Sequence, residues 1–200
     1  MLTGMFLSEP PPSDRARVLY DEDRESQGYV DNLTRLWCWR PELMEQFFSL
    51  RRTLAGGSQL SAVDLAVLNV AAAAACHSAY CALAKGIHLA GLTDVERATL
   101  VVSGGTDGTD PRNAALSRWA HRVVAHSAET TAADVDQLRA VGLTDPQIFA
   151  ATLEIALRQA FATVNDALGA EPDQQLANRA PAALRAAVNY GRPPATAPSN

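Results

Sequence analysis

The stretch Leu65-Ala66-Val67-Leu68-Asn69-Val70-Ala71-Ala72-Ala73-Ala74-Ala75-Cys76 decides the fold class. It is the longest nearly continuous apolar run, and only Asn69 interrupts it. A bilayer requires roughly 20 apolar residues, so the run is too short to span one and reads as a buried helix. Five successive alanines, Ala71 to Ala75, let neighbouring backbones approach it closely. This helix is therefore expected at the centre of an all-α domain.

Outward from it, helix boundaries are marked on both sides. Ser61 with Asp64, Thr93 with Glu96, Thr131 with Asp134 and Thr144 with Gln147 have the spacing of a capping box, in which two orphan N–H groups are satisfied reciprocally. Gly28, Gly56, Gly91, Gly142 and Gly169 each follow a helical pattern and suit its closure, while Pro41 and Pro146 suit first turns. These marks predict helices near 14–26, 31–39, 41–55, 61–76, 77–90, 94–103, 112–127, 132–141 and 146–168, with a short one within 181–190. Gly91-Leu92-Thr93-Asp94 recurs as Gly142-Leu143-Thr144-Asp145, which reads as a shared helix-hairpin turn.

Composition narrows the function. With 200 residues the chain can bury a core without disulfides, and its aromatic content of 6% favours close helix packing. A formal charge of −5 without a basic cluster argues against nucleic acid. Met5, Phe6 and Leu7 lack the flanks of a signal peptide, so the expected compartment is the cytoplasm, where Cys38, Cys76 and Cys81 stay reduced. The loop from Gly104 to Asp110 is glycine-rich but follows a helix and lacks a Gly-Lys-Ser/Thr ending, so it is not read as a phosphate cradle.

Chemistry concentrates just beyond the alanines. On one continuous helix His77, Cys81, Lys85 and His88 share a stripe at spacings of four, four and three, with Ser78 one turn before Cys81. A cation and imidazoles near a thiol favour the thiolate, the form that attacks peroxides and disulfides. The same residues also fit an inert helix, in which Cys81 is a small buried hydrophobe and Lys85 reaches out to water. No metal site and no cofactor is expected: His77 with Cys81 lacks a second ligand pair, and His121 and His126 beside Trp119 read as a packed helix. Trp37, Trp39, Phe47 and Phe48 read as core or subunit-interface packing, with the interface preferred.

Over roughly residues 13–172 the sequence resembles the AhpD-like alkylhydroperoxidases of the carboxymuconolactone decarboxylase superfamily, in their peroxidase-related branch. The resemblance is carried by Gly28-Tyr29-Val30-Asp31-Asn32-Leu33, by Leu54-Ala55-Gly56-Gly57 with Leu60-Ser61, by Gly91-Leu92-Thr93, and by Asn165-Asp166-Ala167-Leu168-Gly169 with Pro172-Asp173. It implies an AhpD-like bundle with two related helical-hairpin halves, an N-terminal extension over 1–12, and a partly helical C-terminal extension over 173–200 with a mobile Pro-rich end. It also implies a homo-oligomer, whether dimer, trimer or hexamer.

The family's redox motif is a Glu, eleven residues, Cys-x-x-Cys, three residues and a His. Here those positions hold Ala66, Ser78, Cys81 and Lys85, so only one cysteine remains. Ser78 cannot resolve a sulfenic acid by forming a disulfide. Cys76 lies about 140 degrees around an ideal helix from Cys81, a poor place for pairing unless the helix kinks. The resemblance thus implies one-cysteine hydroperoxide reduction or thiol redox sensing at Cys81, an oxidoreductase or antioxidant role. Lys85, His77 or His88 would assist, and an external thiol would restore the cysteine. Two alternatives stay open: a non-catalytic oligomeric homologue serving as a binding or structural protein, and a decarboxylase-like small-molecule enzyme.

Overall fold

The structure is a computed structural model that describes residues 5–106, 108 and 110–196. Among these every regular element is helical. The predicted helices appear in order as α1 (Asp14–Gln27), α2 (Asn32–Trp37), α3 (Pro41–Gly57), α4 (Ala62–Ala75), α5 (Ala79–Leu92), α6 (Val95–Val102), α7 (Pro111–His126), α8 (Ala132–Ala140) and α9 (Asp145–Ala167). Two short helices follow, α10 (Gln174–Arg179), which the sequence reading does not anticipate, and α11 (Ala182–Ala187). Asp107 and Thr109 of the Gly104–Asp110 loop lie outside the described residues, as do 1–4 and 197–200.

The alanine-rich α4 is the central rod. Val67, Leu68 and Val70 to Ala73 are wholly buried, and the helix packs against α5, α6, α7 and α9. The small side chains explain the arrangement, since four helices converge on one only where its surface is nearly smooth. The main core joins α4 to Leu89, Val101, Leu116, Trp119, Leu138 and Ile155, and to Leu184 of α11. A Cβ at Gly86 of α5 would lie 2.8 Å from Leu184 Cδ1, so the missing side chain is what seats α11.

Three capping boxes form as expected, at Ser61/Asp64, Thr131/Asp134 and Thr144/Gln147. The fourth does not. Asp94 caps α6 by accepting from the Arg97 N–H at 2.7 Å, while Thr93 turns its hydroxyl back to the Leu89 carbonyl at 2.8 Å. The hydroxyl finds its acceptor in the preceding helix, which leaves the cap to the next residue. Gly28, Gly142 and Gly169 take the left-handed conformation. Gly56 and Gly91 instead lie inside α3 and α5, which each run two residues beyond their expected ends.

The chain after α11 follows the body of the protein. Ala195 is buried and its N–H donates to the Pro172 carbonyl at 2.9 Å, so this end covers more surface than its prolines suggest. Gly191 lies against the α4–α5 turn so tightly that a Cβ there would come within 2.6 Å of the His77 carbonyl oxygen.

Candidate functional site

Helix α4 ends just before the reactive cluster. The Ser78 N–H donates to the Ala73 carbonyl at 3.0 Å and the His77 N–H to the Ala74 carbonyl at 2.9 Å, while His77 takes a left-handed φ of 53°. This paired closure is a Schellman motif. It removes His77 from the helix that carries Cys81, and the four-membered stripe expected of one continuous helix loses its first member. The exposed His77 ring packs edge-on against Tyr190 at 5.5 Å. Ser78 is fully buried at the start of α5, near the Asp166 carboxyl, whose pKa burial raises and Ser78 lowers.

Cys81, Lys85 and His88 do come together, along the wall of a cavity of about 430 Å³. Leu33, Phe48, Tyr80, Phe161 and Leu176 give the wall its apolar part. Lys85 is half-buried and His88 exposed. Burial pushes the Lys85 ammonium down to about 8, and the Arg158 and Arg51 guanidinium groups push the same way. Burial, then Lys85, also lowers His88.

The immediate neighbours of the sulfur come from α9. Arg158 Nη1 donates to Cys81 Sγ at 3.9 Å and Asn165 Nδ2 at 4.0 Å. Arg158 is 2% exposed and Asn165 is fully buried. Trp37 Nε1 donates to Asn165 Oδ1 at 2.8 Å, which leaves the amide's N–H side for the sulfur. Arg158 Nε donates to Asn69 Oδ1 at 2.8 Å, and Asn69 Nδ2 donates to Glu154 Oε1 at 2.8 Å. Arg51 donates to both Asn69 Oδ1 and Glu154. A buried carboxylate is thus linked to the thiol through an amide and a guanidinium. Two guanidinium groups against one carboxylate leave net positive charge beside the sulfur.

Sequence reasoning singled out none of Arg158, Glu154, Asn69 and Arg51 as site residues, and it quoted Asn165 only as a marker of resemblance. The signal was present in α9. Glu154, Arg158, Phe161 and Asn165 recur at spacings of four, three and four, placing charged and amide groups on the buried face. The aromatic residues Trp37, Phe47 and Phe48 close over Phe161 within the chain, with Trp37 stacked on it at 4.9 Å. Trp39 is exposed.

The three cysteines are free, and burial pushes the Cys38 and Cys76 thiols up to about 11. Among the described residues no group of three His, Cys, Asp or Glu side chains could hold a metal ion, and no helix is long and apolar enough to cross a membrane.

No protein-family model and no curated protein matches the sequence. Solved structures do. An uncharacterized peroxidase-related protein from Ralstonia eutropha JMP134, described as an alkylhydroperoxidase AhpD core, superposes with a TM-score of 0.74 at 23% identity, covering 88% of this chain and 96% of that one. An uncharacterized peroxidase-related protein from Silicibacter sp. TM1040 gives 0.75 at 22% identity over 86% and 93%. The debrominase Bmp8, as a cysteine-to-alanine variant in complex with 2,3,4-tribromopyrrole, gives 0.66 at 15% identity over 92% and 96%. The helical architecture around Cys81 is therefore the AhpD core fold.

Proposed function

We propose that this chain is a peroxidase-related thiol protein in which Cys81 reduces an organic hydroperoxide through a one-cysteine cycle. The observation that carries the reading is the Arg158 guanidinium donating to the sulfur at the wall of a cavity. The Cys81 thiolate attacks the terminal peroxide oxygen and the O–O bond breaks, giving the sulfenic acid and an alkoxide. Lys85, with its pKa near 8, supplies the proton that turns the alkoxide into the alcohol. An external thiol then condenses with the sulfenic acid, releasing water and leaving a mixed disulfide, and a second thiol displaces Cys81 from it as the external disulfide forms. Ser78 takes no part, since its hydroxyl cannot close a disulfide. The test is to treat the protein with cumene hydroperoxide in the presence of a 1,3-dione that traps sulfenic acids, then locate the adduct by mass spectrometry. A stoichiometric adduct on Cys81, absent from Cys81→Ser, is expected; an unmodified Cys81 under excess peroxide refutes the reading.

The likeness to a debrominase, together with the aromatic wall formed by Phe48 and Phe161, favours a second reading of the same sulfur. In it Cys81 acts on a halogenated ring. Bromide release from a polybrominated pyrrole in the presence of a dithiol, lost in Cys81→Ser, separates it from the first.

A further inference from the structure

The cavity that holds Cys81 has a second polar group in its wall. Asp31 and Gln27 form it, with Arg179 and the ring of Tyr80. The Asp31 carboxyl hydrogen-bonds that of Asp173, which is fully buried. Asp173 in turn accepts from the Asn32 N–H at 3.0 Å and from the Tyr80 hydroxyl. Burial, then the neighbouring Asp173 charge, raises Asp31 to about 7. Arg179 is held by the Tyr29 hydroxyl at 3.2 Å and by Gln27 at 3.4 Å.

Beside the thiol, Arg158 lines the cavity with Nη1 and Nε engaged by Cys81 and Asn69. Much of the remaining wall is apolar, with Leu33, Ile87, Phe161 and Leu176. The volume of about 430 Å³ falls within the range of small-molecule pockets, roughly 300–1,000 Å³.

We infer that the cavity takes an apolar-bodied hydroperoxide carrying a distal hydroxyl group, with the peroxide at Cys81 beside Arg158 and the hydroxyl on Asp31. A hydroxyl suits this partner because it donates to an ionised carboxylate and accepts from a protonated one, so it stays bonded as Asp31 titrates. A distal carboxylate would meet the Asp173 charge behind Asp31, while Arg179, the cation on the same wall, is already turned to Tyr29 and Gln27. A wholly apolar tail would strip water from Asp31 without replacing its bond. The inference rests on the proposed reaction at Cys81 and adds its substrate class.

Three hydroperoxides that differ only far from the O–O bond test it: cumene hydroperoxide, its para-(2-hydroxypropan-2-yl) derivative and its para-carboxylate. Second-order rate constants for Cys81 sulfenic acid formation are measured at pH 7. The hydroxylated compound is expected to react at least fivefold faster than either other, and its advantage over cumene hydroperoxide should collapse toward unity in Asp31→Ala. Equal rates in the wild type, a faster carboxylate, or a preference that survives Asp31→Ala overturns the inference while leaving the chemistry at Cys81 intact. If none of the three oxidises Cys81, the reaction itself falls and the inference falls with it.

Discussion

Arg158 stands across the helix interface from Cys81 with Nη1 3.9 Å from Sγ, so the cation nearest the thiol comes from α9, 77 positions further along the chain. The lysine one turn on from the cysteine shares the cavity but is not the sulfur's hydrogen-bond donor. Placing the charge on a separate helix fixes it by packing rather than by a flexible side chain. Its remaining bonds, to Asn69 and onward to Glu154, set the guanidinium plane.

Replacing Arg158 should therefore silence the thiol more than replacing Lys85. In Arg158→Met the rate of Cys81 sulfenic acid formation at pH 7 is expected to fall at least tenfold, because the thiolate loses its donor and its charge. Arg51 remains to pair Glu154, so the fold should persist with a loss of about 1–3 kcal/mol, read by urea unfolding. A rate equal to that of the wild type would remove Arg158 from the chemistry.

Lys85 gives the pH signature. Its folded pKa, about 8, lies below the ordinary lysine value of 10.5. Between those values the unfolded chain binds more protons, so stability rises with pH across that window, and the burial cost is fully present below pH 8. Lys85→Met should stabilise the protein at pH 7 by about 1–2 kcal/mol, an amount discounted for the part of the side chain that reaches solvent, and the gain should shrink towards pH 10. If Lys85 also supplies the proton, peroxide reduction should fall above pH 8 in the wild type, and this limb should disappear from the variant. A gain in stability that is flat from pH 7 to pH 10 would contradict the assignment.

Gly86 and Leu184 should be coupled. Gly86→Ala drives a methyl to within 2.8 Å of Leu184 Cδ1 and is expected to cost about 1–3 kcal/mol. Leu184→Ala empties a wholly buried site and should cost about 2–5 kcal/mol. In the double variant the new methyl occupies part of the vacated space, so the combined loss should fall short of the sum by at least 1 kcal/mol. Strict additivity in thermal or urea unfolding would mean that α11 is not seated on α5 as described.

The sequence by itself determined the helical class, the order and approximate bounds of nine helices and the central place of the alanine run, and it singled out Cys81 as a candidate. Those features are local: caps, closures and apolar periodicity act over three or four residues, and each is written where it operates. Two kinds of feature were decided only by the tertiary structure. The first is the break at His77, since a stripe drawn on one helix disappears when hydrogen bonds from His77 and Ser78 back to α4 end that helix before Cys81 is reached. The second is the company the sulfur keeps. Arg158, Asn165, Asn69 and Glu154 come from two other helices and meet Cys81 because packing on the smooth face of α4 brings them there. Charged groups on a buried helix face can show that a polar site exists, but which atom they serve is fixed only when the helices dock.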